Sequence, residues 1–308
     1  MWFVCIMEYR DLRQMDAFVV PHFGDLSVLY VKPISVLLNI PIIYISHNSI
    51  YYPVVESHAR FDATSISGSM CKQIDRTLHS LADRVIVVSK TQADIFSKEF
   101  DIAPEKYDVM YTSVDESRFR GVNSTSESTS DVVYWGNFLP SHSVEAILYA
   151  AEMLPEVSFT LIGGGGDRRE KMIELSANLQ LENVNFTGRI SEESLCGYIK
   201  SATMTVGFLG DNPKARMNIG KKAAEAAYFS KPLIAGDSPA NREVFTDNYD
   251  SLLVEPADPE DLAANISHLR SERELQEKTS KNIHNTYFEY FHASNQLDCL
   301  REVVSQLE

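Results

Sequence analysis

Cysteine is scarce in this 308-residue chain, and the few that occur are far apart. The four are Cys5, Cys71, Cys196 and Cys299. They form no Cys-x-x-Cys pair, and the eight histidines are equally scattered, so the sequence offers neither a zinc site nor a disulfide framework. Few and scattered cysteines are typical of proteins in a reducing compartment. We therefore expect a cytoplasmic protein that holds no metal.

Long apolar runs and an excess of positive charge are also missing. The most apolar stretch, residues 34–45, is too short to span a bilayer, and the N-terminus lacks the pattern of a secretory signal. The formal net charge is −15, whereas nucleic acids and anionic lipids attract basic surfaces. We expect no nucleic-acid partner and no transmembrane segment.

What the sequence does contain is an alternation of strand-like and helix-like apolar periods, which is typical of βα repeats around parallel sheets. Strand-like runs in the first part are residues 17–20, 41–46, 84–89 and 107–111. The polar stretch 121–130 interrupts the pattern and reads as a linker. The alternation then restarts with about six βα units and ends in a long helical tail through Leu307.

A glycine run follows one predicted strand of the second part and precedes a helix. It contains Gly163, Gly164 and Gly165. Glycine lets the backbone approach a phosphate closely, and a helix N-terminus supplies N–H donors and a positive dipole end. No GxGxxG or Gly-Lys-Ser/Thr pattern accompanies the run. A tight βα turn without a ligand explains it equally well.

A basic patch in this acidic chain is stronger evidence for an anionic ligand. Lys214, Arg216, Lys221 and Lys222 fall within nine residues, just before a predicted helix. Glu225 follows Lys222 by three residues and so shares its helix face. A cation for phosphate beside a carboxylate for ribose suits a nucleotide diphosphate. The alternatives are a solvated charged face and a simple ion pair between Lys222 and Glu225.

The segment from Lys214 to Glu243 resembles the donor-site motif of glycosyltransferase family 4, also called glycosyl transferases group 1. That motif combines a loop lysine, a helix that opens with Lys-x-x-Glu-Ala, and Gly-Lys-Pro-Val-Ile. Further blocks similar to the family occur in the family's order. They are residues 87–90, 113–119, 134–142, 161–165, 184–189 and 251–263.

The resemblance implies roles for individual residues. Glu225 matches the family's ribose-binding glutamate, and Lys222 matches a loop lysine that acts in catalysis with it. Met217 stands where the partner glutamate of other members would be. Gly136 matches the glycine whose backbone faces the diphosphate. The glycine run and Arg189 belong to blocks that face the donor, and we expect Lys214 to be a further phosphate contact.

Two departures from the family lie beside Gly136. Many members have an arginine at the next position and a lysine five residues later, whereas this chain has Asn137 and His142. Both stay candidate donor-binding residues; His142 is either a hydrogen-bond donor to the ligand or a surface loop histidine. His47 matches a family histidine at the interdomain cleft, and we expect it to contact sugar or phosphate in catalysis.

The resemblance implies an α/β protein of the GT-B type, with two Rossmann-like doubly wound domains and a cleft between them. We expect an incomplete acceptor-side domain at residues 1–120, a linker at 121–130 and a nucleotide-sugar domain at 131–285. A helix at 286–308 would return toward the first domain. Family members carry further βα units before the stretch that resembles residues 15–20, so we expect a truncated product or a short natural form.

The implied reaction is transfer of a hexose, with retention, from a nucleotide diphosphate sugar to a hydroxyl acceptor. The donor is a substrate, and no cofactor is expected. The acceptor is a glycan, a lipid-linked sugar or a small molecule, and a lipid-linked one would imply peripheral membrane association. An inactive sugar-nucleotide-binding or interaction protein is the main alternative, and a GT-B epimerase fits less well.

Overall fold

The computed structural model describes residues 14–52, 54–55, 62, 65–119 and 130–307. The chain divides into two compact units, and each has its own parallel sheet. The first unit is Met1–Tyr111 with Ser294–Glu308, and the second is Thr112–Ala293. The predicted linker at residues 121–130 lies outside the described residues, apart from Ser130. The prediction of two parallel-sheet α/β domains is confirmed.

The described part of the first unit contains a parallel sheet in the order β1–β2–β3–β4. Its strands are β1 (Phe18–Val20), β2 (Ile42–Ile45), β3 (Arg84–Val87) and β4 (Tyr107–Val109). Its helices are α1 (Ser27–Leu38), α2 (Ile66–Leu81), α3 (Lys90–Phe100) and, late in the sequence, α11 (Ala293–Ser305). Each strand falls within one of the four apolar runs of the first part.

The core of the first unit joins distant parts of the sequence. Ile42, Ile43 and Tyr44 are fully buried, as expected for a parallel strand that is covered on both faces. Ile43 and Ile86 pack with Val303 of α11 in one apolar cluster. The last helix therefore covers one face of this sheet.

His79, near the end of α2, is fully buried in the first unit. Its Nε2 lies 3.1 Å from the Ser46 hydroxyl, and its Nδ1 lies 3.0 Å from the Tyr107 hydroxyl. Aromatic rings contact it at their edges, namely those of Tyr44, Phe96 and Phe100. Burial, aided by Lys106, lowers the pKa of His79 to about 3. The ring is therefore neutral at physiological pH.

We expect His79 to make the first unit sensitive to acid. The unfolded chain protonates this histidine below pH of about 6.5, whereas the folded protein resists protonation down to its lowered pKa. The stability conferred by the neutral ring is therefore present above that pH and is lost as the pH falls. The loss should be about 1.4 kcal/mol per pH unit. Hydrogen exchange of β2 and β3 amides between pH 7 and 4 measures it.

The matched variants are His79→Gln, whose amide can still bridge the two hydroxyls, and His268→Gln at an exposed position. His79→Gln should flatten the pH dependence of the stability of the first unit, and His268→Gln should leave it unchanged. Equal slopes in the parent and in His79→Gln would show that other groups cause the acid sensitivity.

The second unit contains a parallel sheet in the order β10–β9–β8–β5–β6–β7. Its strands are β5 (Val132–Gly136), β6 (Phe159–Gly163), β7 (Val184–Gly188), β8 (Met204–Val206), β9 (Leu233–Gly236) and β10 (Leu252–Val254). Its helices are α4 (Val144–Met153), α5 (Gly166–Asn178), α6 (Glu192–Ser201), α7 (Pro213–Met217), α8 (Lys221–Tyr228), α9 (Pro259–Ser271) and α10 (Arg273–Thr286).

The strand order of the second sheet reverses at β5. The chain runs outward from β5 through β6 to β7, then returns to the other side of β5 and continues through β8 to β10. In open parallel sheets the loops diverge at such a point and leave a crevice beyond the carboxyl ends of the strands. A ligand site is therefore expected beyond β5 and β8.

Three elements differ from the sequence-based expectation. The short helix α7 (Pro213–Met217) forms where a loop was expected. β10 (Leu252–Val254) pairs with β9 at the edge of the sheet and was not expected as a strand. The long helical tail is interrupted, because α10 passes into a π-helical turn at Tyr287–Phe291 before α11 begins. Tyr287 and Phe291 are both buried, so packing of these aromatic side chains accompanies the interruption.

Candidate functional site

The floor of the site is bare backbone at the ends of β5 and β6. Gly136 and Gly163 are the last residues of these strands and lie opposite each other in the sheet register. The Gly164 N–H donates to the Gly136 carbonyl at 2.6 Å. A Cβ on Gly163 would stand only 2.6 Å from that carbonyl oxygen, and its φ of +98° disfavours side chains. Glycine is therefore required at Gly163.

We expect Gly163→Ala to destabilise the second unit by about 1–3 kcal/mol, because the added methyl group meets backbone and the positive φ is strained. Gly165 provides the matched control. It has an extended backbone, and an added Cβ would meet no atom within 4 Å. Gly165→Ala should change the free energy of unfolding by less than about 0.5 kcal/mol. Urea unfolding of both variants measures the difference, and equal losses would contradict the close-approach argument.

Lys222 lies above this floor, in the first turn of α8, and only 6% of its surface is exposed. Its Nζ is 3.0 Å from the position that a Cβ on Gly136 would take. The ammonium lies over two aromatic rings, 4.7 Å from the centre of Phe208 and 5.0 Å from that of Tyr134. Burial lowers the pKa of Lys222 to about 7, with Glu225 acting in the opposite direction.

His142 is buried beside Lys222 and Gly136. Its ring stacks on Phe208 at 4.7 Å, its Nε2 is 3.4 Å from Lys222 Nζ, and its Nδ1 shares a hydrogen bond with the Tyr134 hydroxyl. Burial first, and then the charges of Lys222, Lys214 and Arg168, lower the pKa of His142 to about 2. It is therefore a buried neutral imidazole, and of the two alternatives the surface loop histidine is wrong.

Glu225 is buried one turn after Lys222. Its Oε2 accepts a hydrogen bond from the Trp135 indole N–H at 2.7 Å. Its Oε1 lies 3.6 Å from Arg118 and 3.6 Å from Lys221. One carboxylate oxygen is thus fixed by the core, and the other faces two cations at the surface.

The basic patch divides into inward and outward residues. Arg216 pairs with Asp211 at the surface, and Lys221 is exposed, whereas Lys214 is half-buried in α7. Burial and the nearby Arg168 lower the pKa of Lys214. Arg168, in the first turn of α5, thus acts on Lys214 as well as on His142. Arg168 was not among the expected site residues; its position two residues after the glycine run was the available signal.

The other candidate residues lie at the same strand ends or in the first unit. Asn137, Gly165 and Arg189 are exposed in the loops that follow β5, β6 and β7. His47 belongs to the first unit, two residues after β2. Its Nε2 is buried and has no hydrogen-bond partner among the described residues, and burial followed by His22 lowers its pKa.

The sequence model of the family described as glycosyl transferases group 1 matches residues 115–286, which is more than half of the chain. The chain belongs to this family. Residues 6–118 match the model described as glycosyltransferase family 4. The family expected from the donor-site motif is therefore confirmed.

Individual relatives are distant. The chain is 26% identical over 150 residues to the glycosyltransferase MJ1178 of Methanocaldococcus jannaschii, which covers 49% of this chain and 41% of that protein. It is 24% identical over 209 residues to the D-inositol 3-phosphate glycosyltransferase of a Nocardioides species. This match covers 59% of this chain and 44% of that protein. The chain thus spans less than half the length of these two curated relatives.

The fold is similar to that of Anabaena HepE, which has been solved in complex with UDP and glucose. The TM-score is 0.73 at 16% identity, and the match covers 97% of this chain and 80% of HepE. The expected GT-B type of fold is confirmed. Within the described ranges, no helix is long and apolar enough to cross a membrane. In the same ranges, no three His, Cys, Asp or Glu side chains are grouped as metal ligands.

Proposed function

We propose that this chain is a retaining glycosyltransferase that moves a hexose from a nucleotide diphosphate sugar to a hydroxyl acceptor. The observation that carries the proposal is the buried ammonium of Lys222 beside the bare backbone of Gly136 and Gly163. A diphosphate is small enough to approach such a floor and has the charge that Lys222 lacks as a partner. HepE, which has the same fold, binds UDP and glucose.

The ribose and the diphosphate of the donor bind to different residues in this proposal. Glu225 would bind the ribose hydroxyls through Oε1, because Oε2 is already held by Trp135. Lys222 and Lys214 would contact the phosphates, and Arg168 would add positive charge at the mouth of the site. The positive end of α8 and the N–H groups of the glycine run act in the same direction.

These groups would accelerate transfer by stabilising charge on the departing diphosphate. The departing phosphate oxygen would accept the proton of the acceptor hydroxyl on the same face of the sugar, which gives retention. His47 is proposed to contact the sugar or phosphate. The acceptor is a glycan, a lipid-linked sugar or a small molecule, with peripheral membrane association for a lipid-linked one, and we propose a cytoplasmic location.

The test has two steps. Calorimetric titration with hexose diphosphates of uridine, guanosine and adenosine identifies the donor; we then follow donor consumption with a panel of hydroxyl acceptors and determine the anomeric configuration of the product by NMR. Binding with transfer and retention supports the proposal. Binding without transfer or hydrolysis would favour the inactive sugar-nucleotide-binding alternative, and no binding of any donor would contradict both.

A further inference from the structure

His142 occupies a position where the family resemblance implies a cation, but the structure buries it beside Lys222. We propose that His142 is a positioning residue: its neutral ring accepts a hydrogen bond from the Lys222 ammonium, so that donor binding is accompanied by uptake of a proton at Lys222. The inference rests on the proposed function, which it deepens by assigning the charge that meets the diphosphate and the conditions under which it is present.

The packing around the imidazole fixes its orientation. Phe208 stacks on one face of the ring, and the Tyr134 hydroxyl is bonded to Nδ1. Rotation of the ring would break the contact with Tyr134 and place carbon atoms against Lys222. The remaining nitrogen, Nε2, therefore points at Lys222 Nζ, 3.4 Å away. His142 is therefore beside the ammonium, and its Cε1 also lies 3.2 Å from the position that a Cβ on Gly136 would take.

The protons at this site can be counted from the chemistry of the groups. A lysine ammonium has three donors and no acceptor, so Nε2 has to be the acceptor when Lys222 is charged. The imidazole is neutral, and its proton then resides on Nδ1 and is donated to the Tyr134 oxygen. The Tyr134 hydroxyl can accept this proton, so its contact with Nδ1 is compatible with the tautomer that supports a charged Lys222.

The charged groups that face Lys222 do not balance it in the free protein. On its own helix, Glu225 favours the charged form; Lys214 of α7 opposes it, and Arg168 of α5 opposes charge on Lys214 and His142. On β5 and in the loop after β8 the neighbours are the neutral Tyr134 and Phe208. A diphosphate would supply the missing negative charge.

The direction of the pH dependence follows from this arrangement. The pKa of Lys222 is about 7 in the free protein, and a bound diphosphate raises it. Affinity should therefore be constant below pH 7. Above pH 7 it should decline by up to about tenfold per pH unit, because binding then requires a proton from solvent. The phosphates of a nucleotide sugar are both esterified and do not titrate in this range.

The first experiment uses the parent protein and the nucleotide sugar that binds most tightly in the calorimetric panel. Titration in two buffers of different ionisation enthalpy counts the protons taken up on binding. We expect almost none at pH 6 and most of one proton at pH 8. Uptake that is absent at pH 8, or that does not increase between these pH values, would overturn the inference.

The second experiment compares His142→Leu with His142→Gln. Leucine removes the acceptor, so the pKa of Lys222 should fall and the pH midpoint of donor binding should move down by about one unit or more. Glutamine keeps an acceptor oxygen and should restore the midpoint. A purely structural role would lower affinity equally at every pH, and unmoved midpoints in His142→Leu would overturn the inference.

A measurement without ligand separates this inference from the proposed function. NMR titration of lysine side chains labelled at Cε, assigned with Lys222→Met, reports the pKa of Lys222 in the free protein and in both His142 variants. A lower pKa in His142→Leu alone supports the positioning role even if no donor binds, in which case the proposed function fails by itself. Donor binding with an unchanged Lys222 pKa in His142→Leu would overturn the positioning role only.

Discussion

Lys222→Met should weaken binding of a nucleoside diphosphate by roughly 2–5 kcal/mol, which is about thirtyfold or more, and should leave binding of the nucleoside almost unchanged. Methionine fills a similar volume over Phe208 and Tyr134, but it has no charge and no hydrogen-bond donor for the phosphate oxygens. A buried ammonium acts in low dielectric, where its loss costs far more than at the surface. Calorimetric titration with both ligands measures the difference.

Lys221→Met is the matched control, since it removes the same charge from the adjacent position. Lys221 is 48% exposed, and its ion pair with Glu225 at 3.6 Å is worth at most about 1 kcal/mol. Its loss should change diphosphate affinity only slightly. If both variants weakened the diphosphate equally, net charge rather than the buried position of Lys222 would account for binding.

Glu225→Gln should weaken nucleoside diphosphate binding by about 1.5–3 kcal/mol, because hydrogen bonds from ribose hydroxyls to a carboxylate are charge-assisted. Glutamine is preferable to alanine at this position. Its amide oxygen can still accept the Trp135 indole N–H, whereas alanine would leave that buried donor unpaired at a cost of about 1–3 kcal/mol in stability. Titrations with ribose and 2′-deoxyribose forms of the ligand should converge in the variant.

The control for this prediction is Glu192→Gln, because Glu192 also pairs with Arg118 but is more than half exposed. Its replacement should leave affinity for both forms of the ligand unchanged. An unaltered preference for the ribose form in Glu225→Gln would remove Glu225 from the ribose site, even if the overall affinity fell.

The sequence predicted much of the fold, because parallel strands that are covered on both faces appear as continuous apolar runs. The four strands in the described part of the first unit all lie within such runs. β10 was missed since three apolar residues, Leu252–Val254, give too short a pattern to recognise. The π-helical turn at Tyr287–Phe291 was missed because its sequence contains no residue that ends a helix. Only the packing of its aromatic side chains shows the interruption.

The site was predictable in its residue types but not in its depth. Gly163 was expected to approach a ligand, yet the requirement for glycine comes from Gly136, which is 27 residues away and adjacent only in the sheet register. His142 was expected near the donor, but its burial depends on Phe208, a residue of no evident function in the sequence. Because His142 is buried, it is a neutral hydrogen-bond acceptor for Lys222 and not a hydrogen-bond donor to the ligand.

The first unit is assembled from both ends of the sequence, which has a consequence during synthesis. Val303 packs against Ile43 and Ile86, so the ribosome must translate more than two hundred further residues before this face of the sheet can be covered. The second unit is continuous in sequence and can fold while the first waits with apolar surface exposed. Nonsense or frameshift mutations near residue 293 should therefore yield an aggregation-prone product, even though every strand of both sheets has been made.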